Sequence, residues 1–192
     1  MSEKQLRFIT PSWSEIEELC MEIAEDVLRD GYKPDIVVGV LRGGIIPAKI
    51  VADYIGVKRI ATVEVKFYAG IGATREEPVI TQPLIENVRG QRILLVDDVA
   101  DTGKTLAHVA SFLNYYGPSE VRTATVYVKP WSMVKPDYYG EETDAWIIFP
   151  WERLEMLTEL VEHHGFSLED ASEVTGIDPE RAEQLLRLHR SS

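Results

Sequence analysis

RILLVDDVADTGKTL, residues 92–106, opens with an uninterrupted apolar run, Ile93-Leu94-Leu95-Val96. A run this short and β-branched predicts a strand buried on both faces. Two carboxylates, Asp97 and Asp98, follow at once, and then a small-residue turn, Asp101-Thr102-Gly103-Lys104-Thr105. Leu106, Val109, Ala110 and Leu113 next recur on one helical face. Strand, acidic pair, glycine turn and helix together describe a phosphate cradle at a strand's carboxyl end. Backbone N–H groups of the turn and helix N-terminus hold the dianion there, and the hydroxyls of Thr102 and Thr105 add donors.

The acidic pair narrows the ligand. Two carboxylates beside a phosphate cradle suit the vicinal hydroxyls of a sugar, or face a magnesium ion. The ligand implied is a ribose 5-phosphate, with hydroxyls on Asp97 and Asp98 and phosphate on the turn. A P-loop would need glycine five positions before Gly103, where Asp98 stands. A solvated strand end, with Asp101 or Thr102 as an ordinary helix cap, fits the same residues taken alone. As a whole the stretch resembles the PRPP-binding motif of the type I phosphoribosyltransferases. That resemblance implies PRPP contacts from Asp97, Asp98, Ala100, Asp101, Thr102, Gly103, Lys104 and Thr105.

Composition sets the outer limits. The 192 residues suffice for one α/β domain and a small appendage, and a hydrophobic content of 45% is ample for a core. No 18-residue apolar run is present, so no membrane span is expected. The N-terminus lacks the basic-then-apolar pattern of a secretory leader. A single cysteine, Cys20, forms no internal disulfide and suits a reducing cytoplasm. The net charge of −12 disfavours nucleic acid, whose binding relies on Lys and Arg. The few basic residues should therefore gather at the anionic ligand.

Elsewhere in the chain, Ser12 and Glu15 have capping-box spacing, and Ile16, Leu19, Cys20, Ile23 and Val27 recur at helical spacing before Gly31. Cys20 lies on that apolar stripe and reads as a small core residue rather than a nucleophile. A second buried strand, Asp35 to Val40, runs into Leu41-Arg42-Gly43-Gly44 and a helix from Ile45 to Tyr54. The glycines permit close backbone approach, and Arg42 places a permanent cation at the turn. Residues 41–44 look like the family's pyrophosphate loop, and by that resemblance the Leu41–Arg42 peptide can be cis without proline. Residues 59–66, RIATVEVK, alternate as a third strand. Phe67 to Gln82 has no clear period and reads as a long loop. The family carries a mobile loop at that place, which makes Lys66 and Arg75 candidates for gripping pyrophosphate.

Tyr115-Tyr116-Gly117-Pro118 ends the helix of the central stretch, and VRTATVYV, residues 121–128, is a fourth strand. Lys129 follows it and resembles the family's purine-selecting lysine, whose ammonium donates to O6 of 6-oxopurines. After a polar, Pro-containing loop from Trp131 to Glu142 comes Trp146-Ile147-Ile148-Phe149-Pro150-Trp151-Glu152. This segment resembles the purine-covering hood of the family's xanthine–guanine branch. By that resemblance Trp146 and Ile147 contact the base, and Glu152 approaches the base and magnesium.

The resemblance ends near residue 152, which divides a core with hood (1–152) from a small acidic extension (153–192). The extension reads as three short helices, 154–163, 168–175 and 179–189, with Gly165 and Gly176 as breaks and Ser167 and Asp178 as caps. The last two superficially look like a helix-turn-helix. From Glu152 onward, however, ten acids stand against four arginines, a net −6 and the wrong sign for a phosphate-binding surface. Packing or dimer formation is the expected role. His163 and His164 are adjacent on a helix, point apart and suggest no metal site.

Taken together, these residues imply an α/β fold with a mostly parallel sheet of four or five strands flanked by helices. The resemblance implies a cytoplasmic, homodimeric, magnesium-dependent enzyme of purine salvage. It would transfer phosphoribose from PRPP to N9 of hypoxanthine, guanine or xanthine. Arg42 would help neutralise the leaving group, Asp101 would act as general base, and Asp98 and Glu152 would be the metal-facing acids. Rival expectations are the same chemistry on adenine, a pyrimidine or orotate enzyme, and a non-catalytic PRPP-sensing regulator.

Overall fold

The computed structural model describes residues 7–69 and 76–190. Its elements run β1 (Phe8–Ile9), α1 (Trp13–Arg29), β2 (Ile36–Leu41), α2 (Ile45–Tyr54), β3 (Ile60–Ala69), β4 (Glu76–Gln82), β5 (Arg92–Ala100), α3 (Lys104–Asn114), β6 (Glu120–Val128), β7 (Tyr138–Glu142), β8 (Trp146–Ile147), α4 (Arg153–Glu162), α5 (Leu168–Thr175) and α6 (Pro179–Arg190). They form two compact units, residues 16–143 and residues 1–15 with 144–192.

The larger unit is built on a six-stranded sheet in the order β4-β3-β2-β5-β6-β7. All its pairings are parallel except β3 with β4. Ile93, Leu94, Leu95 and Val96 of β5 are fully buried, as a strand covered on both faces requires. Ile93 and Leu95 pack with Ile36, Val38 and Val40 of β2 and with Leu106, Val109 and Leu113 of α3 in one core cluster. The expected α/β class holds, and the sheet extends beyond the expected four or five strands at both edges.

The two additional strands lie where loops were expected. The described residues of 67–82 are strand rather than loop: β3 continues to Ala69, and β4, from Glu76 to Gln82, pairs antiparallel with it, Val65 with Ile80 and Phe67 with Pro78. Pro78 disguised β4, yet an edge strand tolerates proline because one side of it donates to no neighbour. β7 lies within the expected 131–142 loop and has almost no apolar pattern. It is held by parallel pairing to β6 and by Asp137, whose carboxylate accepts from the Thr123 N–H and hydroxyl at 2.7 and 2.8 Å.

In the smaller unit β1 pairs in parallel with β8, and α4 to α6 close a core of Leu157, Leu160, Ala171, Ala182 and Leu186. The helices start and stop where their caps predict. The Ser167 hydroxyl accepts from the Asp170 N–H, and Gly176 ends α5 at φ +67°. At the start of α1 the Ser12 and Glu15 side chains accept from each other's backbone N–H groups at 3.2 and 2.7 Å, a complete capping box. Thr10 donates to the Val174 carbonyl and Arg153 to the Pro11 carbonyl, so the extension packs with the first residues of the chain.

Candidate active site

In the sheet, β2 and β5 are neighbours, but the chain leaves them in opposite directions, from β2 toward β3 and from β5 toward β6. A crevice opens at the carboxyl ends of strands wherever the order reverses in this way. Both stretches singled out in the sequence, 41–44 and 97–105, end at that reversal. Gly44 begins α2 so close to β5 that a Cβ on it would stand 2.8 Å from the Asp97 Cα and 2.7 Å from the Val40 carbonyl oxygen. Only a residue without a side chain brings the two loops this near. The Leu41–Arg42 peptide is cis, as the family resemblance allowed.

A cavity of about 610 Å³ sits at the end of β5, lined by Phe67 and by every residue from Asp97 to Leu106. Asp97 is buried and its carboxylate accepts from the Asp98 N–H at 3.0 Å. The Asp98 carboxylate accepts from the Val99 N–H at 2.8 Å. Gly103, at φ +78°, turns the chain into α3. Gly103, which has no side chain, occupies the helix-cap position, and Thr102 reaches the first turn through a long bond, its hydroxyl accepting from the Lys104 N–H at 3.4 Å. A helix N-terminus so lightly capped suits an anion.

Burial, the largest influence on Asp98, pushes its carboxyl above the usual range, against the hydrogen bond from Val99. A folded-state pKa raised above the unfolded one means a contribution to stability that is complete below the ordinary carboxylate pKa. It is lost as pH rises through the raised value. In magnesium-free buffer Asp98→Asn, which keeps an acceptor for Val99, is therefore expected to raise the melting temperature at pH 7. The gain should shrink as the pH falls toward about 4. An unchanged or lower melting temperature at pH 7 would show that the Asp98 charge costs the fold nothing.

Arg42 and Lys66 meet around a residue the sequence reading passed over. Glu64 pairs in register with Leu41, and Lys66 Nζ lies 3.5 Å from its carboxylate. The Thr81 hydroxyl, chiefly, together with the charges of Lys66 and Arg42, holds Glu64 below the usual carboxylate range. The alternation of RIATVEVK put Glu64 and Lys66 on one face and was the signal available. Arg75 lies outside the described residues.

Lys129 is 8% exposed, and its N–H donates to the Ala100 carbonyl at 3.0 Å, which sets it beside the β5 loop. Thr102, Lys104 and Thr105 all line the cavity. Trp146 is exposed and Ile147 buried on β8, and Glu152 precedes α4. These three belong to the smaller unit, whereas the other described candidates belong to the larger one.

The phosphoribosyl transferase domain family matches residues 12–153. The chain is 31% identical over 149 residues to a xanthine-guanine phosphoribosyltransferase of Gluconobacter oxydans, covering 77% of this chain and 86% of that protein. It is 36% identical over 151 residues to one of Cereibacter sphaeroides, covering 73% and 84%. Among solved structures, a purine phosphoribosyltransferase from Pyrococcus horikoshii is similar with a TM-score of 0.70 and 40% identity, covering 75% of this chain and 93% of that one.

Proposed function

The chain belongs to the phosphoribosyl transferase domain family, and on that premise we propose that it transfers the 5-phosphoribosyl group of PRPP to N9 of a 6-oxopurine. The bases are hypoxanthine, guanine or xanthine, and the products are the nucleoside 5′-monophosphate and pyrophosphate. The observation that carries the choice of base is Lys129. A buried lysine whose main chain is tied to the β5 loop carries an ammonium donor suited to O6 and opposed to the amino group of adenine. The names of the relatives point the same way.

Charge flow assigns the remaining roles. As the bond from C1 of the ribose to pyrophosphate breaks, its electron pair leaves with pyrophosphate and the ring becomes cationic. Arg42 and the N–H groups of residues 41–44 stabilise the leaving group, with Lys66 beside them. Asp97 and Asp98 orient the ribose hydroxyls and face the cationic ring. The α3 N-terminus with Thr102 and Thr105 holds the 5-phosphate. N9 forms the new bond on the opposite face, and Asp101 takes the proton from N7. Asp98 is the acid of the larger unit suited to magnesium, since a half-buried carboxylate held above its usual range gains from a divalent neighbour. When bound, magnesium would neutralise the diphosphate charge. Glu152, in the smaller unit, remains the second acid proposed for it, and Trp146 and Ile147 are proposed to cover the base.

The reading carries with it a homodimer working in the cytoplasm. Buried, reduced Cys20 fits that compartment, and no helix among the described residues is long and apolar enough to cross a membrane.

Lys129→Met, which keeps the apolar stem, tests the reading. A hydrogen bond from a charged donor contributes about 1.5–3 kcal/mol, so kcat/KM for 6-oxopurines is expected to fall about 10–100-fold, with little change for adenine. Equal loss for both bases, or none, would remove Lys129 from base selection.

A further inference from the structure

The segment after β6 turns on itself, the Ser132 N–H donating to the Lys129 carbonyl at 2.9 Å, and is fastened to the β5 loop by the Lys129 N–H on the Ala100 carbonyl at 3.0 Å and the Met133 N–H on the Thr102 carbonyl at 3.1 Å. Gly103 lies so close to this segment that a Cβ on it would stand 2.8 Å from the Val134 Cβ and 2.9 Å from the Ser132 hydroxyl. Trp131 is the segment's large side chain. Its indole N–H donates to Asp101 Oδ1 at 2.8 Å, and the Lys129 ammonium lies 5.6 Å from its ring centroid. The ring is 54% exposed, so packing into the core does not account for where it sits.

We propose that Trp131 is a positioning residue that holds the Asp101 carboxylate through its indole N–H and braces Lys129 with its ring, joining the proton acceptor to the base-reading lysine. The proposal rests on the roles given to Asp101 and Lys129 above. An exposed carboxylate on a turn has several rotamers, and one directed hydrogen bond from a braced donor selects among them. The indole only donates, so it occupies Oδ1 and leaves Oδ2 to accept the N7 proton. Such placement matters because a displacement of about 1 Å can cost about 10²-fold in rate. The ring also lies within the range at which an aromatic face attracts an ammonium.

The test separates the two contacts. Trp131→Phe keeps an aromatic face for Lys129 and deletes the N–H; Trp131→Leu deletes both. Steady-state kinetics, PRPP calorimetry and melting temperatures are measured for these, for Asp101→Asn and for the Asp101→Asn/Trp131→Phe double variant. Trp131→Phe is expected to lower kcat about 10-fold, leave PRPP affinity within about twofold and leave the melting temperature unchanged. In the Asp101→Asn background it should cost nothing further, because its effect runs through that carboxylate. Trp131→Leu should in addition lose discrimination between 6-oxopurines and adenine. An active wild type with Trp131→Phe unaffected, or the same loss in both backgrounds, overturns the inference alone. A wild type that turns over no base removes the functional reading and this inference with it.

Discussion

Asp101→Asn is expected to lower kcat by about 10²–10⁴-fold while PRPP affinity holds within a few-fold. The two quantities separate because Asp101, although it lines the same cavity as the groups proposed for PRPP, is given a role that only turnover uses. In the proposed reading Asp97 and Asp98 orient the ribose and the α3 N-terminus holds the phosphate, whereas Asp101 lies on the exposed part of the turn, bonded to Trp131. Asparagine has nearly the same volume and still offers an oxygen to the indole, so the turn keeps its shape. What it loses is the ability to take a proton. A neutral purine attacking through N9 must shed its N7 proton, and without an acceptor the nucleophile is weaker and the charge it develops is unrelieved. Turnover from PRPP and hypoxanthine, with calorimetric titration of PRPP into the same variant, checks this. Unchanged turnover would remove Asp101 from the mechanism, and a parallel loss of PRPP affinity would make it a binding residue.

Gly44→Ala is expected to lower kcat/KM by about 10²-fold. The added methyl would meet the Val40 carbonyl oxygen at 2.7 Å and the Asp97 Cα at 2.8 Å, and both are backbone. No side-chain rotamer relieves such contacts, so the loop bearing Arg42 must move away from β5. Inserting a methyl into a packed site costs about 1–3 kcal/mol in stability. The larger effect falls on the rate, because the groups proposed to receive the leaving pyrophosphate and those proposed to hold the ribose would no longer be in register. The change should appear in both PRPP affinity and turnover, unlike that of Asp101→Asn. Kinetics beside a circular-dichroism melt would show a folded but nearly inactive protein, and wild-type kinetics would mean that the Gly44–Asp97 approach is not needed.

The sequence signalled those parts of the protein whose physics is local. The buried run 93–96, the Ser12–Glu15 capping box and the Ser167 cap each depend on residues within a few positions, and each appears as expected. Both edge strands escaped because backbone pairing fixes them. β4 carries a proline, and β7 is registered by Asp137 on Thr123, 14 positions away. Within the site the two glycine loops were legible, since glycine is costly except where the backbone demands it. Glu64 was hidden in an ordinary alternating strand. Trp131 was hidden for another reason: its partner Asp101 lies 30 positions earlier, and only the parallel pairing of β5 with β6 brings the ends of those strands together.

The most direct measurement is nucleotide formation from PRPP and magnesium with hypoxanthine, guanine, xanthine, adenine, uracil and orotate in parallel. Turnover of one or more 6-oxopurines, with none of uracil or orotate, is the expected result, and it would identify the preferred base. Turnover of adenine alone would keep the fold and the chemistry of Asp101 but overturn the role given to Lys129. Turnover of no base, with PRPP still bound, would contradict the enzymatic reading and leave a PRPP-binding protein that senses its ligand without consuming it.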